Sequence, residues 1–181
     1  MKTRKMVNIS LLITFAVVIH TVETLIPVPL PVPGAKIGLA NIITLVTLCI
    51  YDFRSGFTVA VLRSILGSIF AGTFLGLGFF LSFSGAVLST LAMAVILPLE
   101  KRNKISLVSV SIVGAVSHNT AQVVAVALIM GNFFLIVTYL PILLVLALPT
   151  GLLTGLAARY MVQAITRILP GLGVSGAEQE G

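Results

Sequence analysis

Charge is what this sequence has least of. Only 9% of its 181 residues are Asp, Glu, Lys or Arg, against 58% hydrophobic. A soluble domain spends about a quarter of its residues on charge, because its surface must face water. A water-soluble fold is therefore excluded. Acid is scarcer still: Asp52 is the only aspartate, and outside the C-terminal tail the glutamates are Glu23 and Glu100. Paired carboxylates, a Walker loop and an HExxH zinc site cannot be assembled from this inventory. His20, Glu23 and His118 lack a fourth ligand, so no metal is expected. The one cysteine, Cys49, lies in an apolar run, which excludes a disulfide framework or cysteine-rich metal site and leaves a lipid- or core-facing thiol.

What remains is apolar. The mean hydropathy is +1.18, and at roughly 20 residues per helical span the length accommodates six spans with short loops. The net charge of +6 forms no nucleic-acid face. Lys2, Arg4 and Lys5 precede the first apolar run, Arg54 follows the second, Lys101, Arg102 and Lys104 follow the fourth, and Arg159 and Arg167 lie near the C-terminus. In a six-span layout every Lys and Arg except Lys36 and Arg63 falls on the side of the N-terminus. That is the positive-inside pattern, and it predicts both termini in the cytoplasm. The first run meets Pro27 with no small-residue cleavage site, so it reads as a retained helix rather than a signal peptide.

Helices are expected over about residues 6–26, 37–51, 56–71, 83–99, 105–130 and 133–162. The alternating prolines of 27–34 favour an extended chain, and the short second helix leaves part of its crossing to that loop. Residues 52–55 read as a tight turn, and 72–82 as an outer loop or half-helix. Pro141 and Pro149 predict a kinked or broken last helix. Residues 1–168 form a single transmembrane domain, followed by a polar, disordered cytoplasmic tail over 169–181. The pairs Gly72/Gly76 and Gly151/Gly155 have helix-packing spacing.

Polar groups inside such a chain are costly, about 2.5–3.5 kcal/mol for a charge at mid-bilayer, so they mark candidate sites. Glu23, Lys36 and Asn41 fall in the outer part of the layout, Arg63 and His118 near its midplane with Gln122 one turn further out, and these residues with Asn119 are expected to line one substrate pocket that opens outward. His20 shares the face of Glu23. Each has a structural alternative: Arg63 pairs with Glu23, Lys36 snorkels to the interface, the helix 5 residues serve as interhelical hydrogen bonds, and His20 packs.

The run Pro31-Val-Pro-Gly-Ala-Lys-Ile-Gly-Leu-Ala-Asn-Ile-Ile-Thr44, then Arg63, then Gly114-Ala-Val-Ser-His-Asn-Thr-Ala-Gln122, resembles the Gx transporter family. Its members are also labelled heptaprenyl diphosphate synthase component I. That family is similar in turn to the substrate-binding S components of energy-coupling factor (ECF) transporters, which are small six-helix proteins with an outward-facing pocket. The resemblance implies an all-α bundle in the cytoplasmic membrane that captures a small polar or anionic molecule, vitamin-like or a cofactor precursor. Its partners would be an ECF coupling subunit and cytoplasmic ATPases. S components often carry alanines four apart on helix 1 for docking; here Ala16 is followed at that spacing by His20. The synthase label implies an accessory membrane subunit of polyprenyl diphosphate synthesis. Catalysis by this chain is not expected, because Mg²⁺–diphosphate chemistry needs several carboxylate oxygens.

Overall fold

A computed structural model describes residues 2–25 and 38–168. Lys36, the proline-rich run 27–34 and the tail 169–181 lie outside the described residues. The rest is helical: α1 (Lys2–Leu25), α2 (Asn41–Ile50), α3 (Phe53–Phe70), α4 (Leu77–Glu100), α5 (Leu107–Met130) and α6 (Phe134–Ile168). All except α2 are long and apolar enough to cross a membrane. The chain is a multi-pass membrane protein.

Local chemistry sets the helix ends. Asp52 is the N-cap of α3, its carboxylate accepting the Ser55 N–H at 2.8 Å, so residues 53–55 are the first turn of a helix and not a separate loop. Ser106 caps α5 in the same way through the Ser109 N–H. Gly131, at φ +63, ends α5 in the left-handed conformation that glycine adopts without steric cost. The α3–α4 connection is confined to 71–76. The expected loop over 72–82 is therefore corrected: α4 begins at Leu77, because its apolar residues continue the helix outward. The last helix is not broken. α6 runs unbroken for 35 residues with Pro141 and Pro149 inside it, about 52 Å at 1.5 Å per residue. Neighbouring helices and hydroxyls accommodate prolines in membrane helices, and Thr150 and Thr154 bond back to carbonyls one turn earlier.

α2 is the centre of the molecule. It touches α1, α3, α4 and α6, and all of its residues but Ile42 are buried. At about 15 Å it is too short to span alone. Around it the long helices are neighbours in the order α1, α3, α4, α5, α6. α5 and α6 approach closely: a Cβ on Gly151 would lie 2.7 Å from the Ile112 backbone, and one on Gly155 2.8 Å from that of Val108. Ser111 and Thr154 share a hydrogen bond of 2.8 Å across this contact. α1 and α6 turn broad apolar faces outward, including Leu11, Phe15, Val145 and Leu153, the surface a bilayer covers.

Helix direction alternates. Lys5 pairs with Asp52 at 2.5 Å, and the Asn8 amide donates to the Tyr51 hydroxyl, so the start of α1 and the end of α2 share one end of the bundle. Ala158 and Val162 of α6 join Leu48 and Ile50 of α2 in one cluster at that same end. Both ends of the described chain therefore lie together. The Lys5 ammonium, with the Ser55 N–H behind it, holds the Asp52 carboxyl down at about 2, so this surface contact stays ionised at any physiological pH.

Candidate functional site

Two apolar clusters bracket a polar layer. Toward the N-terminal end, Leu45, Leu48, Met93, Leu97, Val110 and Ala158 pack together. At the far end Leu81, Val123, Val126 and Leu143 do the same. Between them, the stripe Leu81–Gly85–Ser89–Met93 on α4 faces Val110–Gly114–His118–Gln122–Val126 on α5. Spacing of four keeps each stripe on one helical face.

Arg63 enters this layer from α3. It is 1% exposed, and its Nη2 donates to Asn41 Oδ1 at 2.5 Å. Asn41, the first residue of α2, also accepts the Ser89 hydroxyl at 3.4 Å. Arg63 Nε is buried without an acceptor, and so is the hydroxyl oxygen of Thr44, one turn along α2. The expected alternative, a structural Arg63–Glu23 ion pair, does not form as a direct salt bridge. Glu23 Oε1 instead accepts the N–H groups of Gly38 at 2.5 Å and Leu39 at 3.3 Å. These belong to the turn that leads into α2, where Gly38 O receives the Asn41 N–H. Such N–H groups have no partner within their own helix, and a carboxylate suits the positive end of the dipole. Glu23 thus caps α2 from α1.

His118 is held edgewise between two glycines. A Cβ on Gly85 would lie 2.6 Å from its Cε1 and 2.7 Å from its Nδ1. A Cβ on Gly38, whose φ is +86, would lie 3.3 Å from the His118 ring and 3.1 Å from the Asn41 amide nitrogen. The structure therefore brings Asn41, Arg63 and His118 together, with Glu23 fastened to the adjoining turn and Gln122 one turn beyond His118, also buried. Asn119 goes elsewhere. Its Nδ2 donates to Leu143 O of α6 at 2.7 Å. His20 also lies apart, against Gly67 of α3, where a Cβ would come within 2.5 Å of its ring. Lys36 lies outside the described residues.

Sequence reasoning passed over Ser89, Thr44, Gly38 and Gly85. Hydroxyls are common in membrane helices because they bond to their own backbone, as Thr90 does to Ala86 O, so a serine or threonine alone gives little signal. Among the described residues no three of His, Cys, Asp and Glu gather as metal ligands. The cluster offers instead a buried guanidinium held by neutral groups, with donor capacity left over for an oxyanion.

A helical membrane protein with a buried polar layer around a short central helix is the class these features define. A sequence model described as "Heptaprenyl diphosphate synthase component I" matches residues 12–161, a stretch that includes all of α2 to α5 and most of α1 and α6. The chain belongs to that family. No curated protein and no solved structure matches it.

Proposed function

We propose that this chain is the solute-binding membrane subunit of an uptake system, similar to the S components of ECF transporters. It takes up a small polar or anionic molecule from outside the cytoplasmic membrane, and both its termini are cytoplasmic. One observation carries this reading: Arg63 is buried in the bundle with an unsatisfied Nε and, among the described residues, no carboxylate in direct salt-bridge contact. Removing an ion from water costs several kcal/mol unless a counter-charge compensates, so such a group inside a membrane protein is a functional candidate by default. Asn41 fixes the guanidinium, and His118 and Gln122 orient the remainder of the solute by hydrogen bonds. Lys36, outside the described residues, is proposed as a second cation for the anionic group. The chain catalyses no reaction and has no nucleotide motif, so energy comes from partners, a coupling subunit and ATPases.

The family description favours a second reading, a membrane accessory subunit of heptaprenyl diphosphate synthesis. Gentle purification from native membranes separates the two. The uptake reading expects a coupling subunit and ATPases to co-purify, and native mass spectrometry to find a small molecule on the wild type that Arg63→Ala lacks. A soluble prenyl synthase as the stable partner, with no Arg63-dependent ligand, would reject uptake in favour of the accessory role.

A further inference from the structure

We infer that Thr44 of α2 is a further ligand contact, its hydroxyl and Arg63 Nε together holding one acceptor oxygen of the solute. The inference rests on the reading of Arg63 as a ligand contact and adds the residue that shares its oxygen. Inside an apolar helix bundle a hydroxyl usually donates to its own backbone, because no water is there to take the bond. Thr47, Ser64, Ser68 and Thr90 are each 0% exposed, and each donates to the carbonyl four residues back at 2.6–2.9 Å. Thr44 is as deeply buried, yet its hydroxyl oxygen has no partner. The corresponding carbonyl, that of Ala40 at the N-cap of α2, does not receive it. A buried hydroxyl left unbonded is a cost to the fold, and a ligand that bonds it removes that cost.

The register of α2 on α3 sets this hydroxyl beside Arg63. At one end of the contact Arg63 bonds Asn41. At the other, a Cβ on Gly56 would lie 2.5 Å from Leu48 Cδ2. The two helices therefore run antiparallel. Thr44 shares the α2 face of Asn41 and Leu48, and it falls opposite Ala60, on the α3 face of Gly56 and Arg63. Side chains tilt toward the N-terminus of their own helix. In an antiparallel pair Thr44 thus leans toward the Arg63 turn, and Arg63 leans back over the short side chain of Ala60. Arg63 Nη2 is spent on Asn41, while Nε–H, nearer the α3 backbone, is left over. Two unspent donors, one from each helix, converge within one helical turn. An oxygen with two lone pairs accepts both at once, whatever the charge of the molecule that carries it. The β-branch of Thr44 restricts its χ1, so it fixes where that oxygen sits.

The test uses the full chain in maltoside micelles at pH 7 and constant ionic strength. Thermal unfolding is titrated with acetate and with acetamide, which present the same acceptor oxygen with and without charge. The proteins are the wild type, Thr44→Val, Thr90→Val and Arg63→Gln. Thr44→Ala and Arg63→Lys serve where the first variant does not fold, the lysine keeping the charge without the planar fork. Without probe, Thr44→Val is expected to melt at or above the wild-type midpoint, because it removes a hydroxyl that the ligand-free protein leaves unbonded. With probe, it should need roughly three- to tenfold more acetate or acetamide than wild type for the same shift, the worth of one hydrogen bond. Thr90→Val, whose hydroxyl is spent on Ala86 O, should titrate as wild type, and the Arg63 variants should not respond. A response to acetate alone restricts the oxygen to an anionic group; a response to acetamide extends it to neutral carbonyls. Thr44→Val titrating as wild type while the Arg63 variants fail to respond would remove Thr44 from the site and keep Arg63 in it. A probe-free midpoint of Thr44→Val clearly below wild type would show the hydroxyl spent on the fold, and would equally overturn the inference. No wild-type response to either probe, or an equal response in the Arg63 variants, would reject the reading of Arg63 and the inference with it.

Discussion

Glu23 and Asn119 show how a residue's partner decides its role. Both are polar groups buried in membrane helices, and by cost alone both are candidates for ligand contact. Yet the Glu23 carboxylate is spent on two backbone N–H groups, and the Asn119 amide on a carbonyl of α6. For Glu23, acceptance matters more than charge. Glu23→Gln keeps an oxygen in place, whereas Glu23→Ala orphans the Gly38 and Leu39 N–H groups, at about 1–3 kcal/mol for a buried unsatisfied group. The expected order of thermal stability is wild type, then Gln, with Ala clearly lowest. Equal loss in Gln and Ala would show that the negative charge, and not the cap, is what α2 requires. Asn119→Ala is expected to lower thermal stability by roughly 0.6–1.7 kcal/mol, the measured range for interhelical bonds in lipid. Ligand affinity, or the amount of retained ligand, should stay close to wild type. Lost retention with an unchanged melting temperature would return Asn119 to the site.

Elements were legible in proportion to how far their signals are local. Apolar runs and their basic flanks locate the helices, and α2 is recognisable as short because its apolar residues stop soon after the prolines. The α4 start was not legible. Glycine and serine among apolar residues read as a loop in water, yet a helix in lipid tolerates both, and Gly78 and Ser82 lie inside α4. The prolines of α6 do not break it for the same reason. Within the site, cost identified the buried groups, whereas pairing depends on which helices meet, and no spacing along one helix reports that. The turn N–H groups that take Glu23 away from Arg63 are an example. Gly85 offers a test at this scale. A Cβ there meets the His118 ring at 2.6 Å, and an imidazole wedged between α4 and Gly38 has little room to yield. Gly85→Ala is expected to destabilise by about 1–3 kcal/mol, the usual cost of overpacking. The double variant with His118→Ala should recover most of that loss. Failure of the double variant to recover would place the strain in α4 itself.

For the whole molecule, the decisive geometry is that α1 starts where α6 ends. The Lys5–Asp52 pair, the Asn8–Tyr51 bond and the packing of Ala158 and Val162 with the end of α2 fix this without reference to a membrane. Positive-inside bias supplies the missing sign. Arg54, Lys101, Arg102 and Lys104 lie at or just beyond the ends of α2 and α4 that share the side of the N-terminus, and Arg159 lies toward the far end of α6. Translocating such loops is disfavoured, so the proposed orientation keeps this end in the cytoplasm. The opposite end carries the α3–α4 and α5–α6 connections, with Phe74, Leu75 and Phe133 exposed and no Lys or Arg among the described residues there. The native Cys49 is buried at 7% exposure, so the wild type provides a nearly silent background for thiol labelling. Single cysteines at Arg54 and Arg102 are therefore expected to resist a membrane-impermeant maleimide in intact cells and to react after permeabilisation. Cysteines at Phe74 and Asn132 should react in intact cells. Because the two connections at each end are separated in sequence, the four positions constrain the direction of α3, α4 and α5 independently of the charge count. Reaction of Arg102→Cys in intact cells, with Phe74→Cys protected, would invert the molecule and place the Arg63 layer on the cytoplasmic side of its central helix. Uptake from outside would then be untenable, and a role facing a soluble cytoplasmic enzyme would gain the stronger claim.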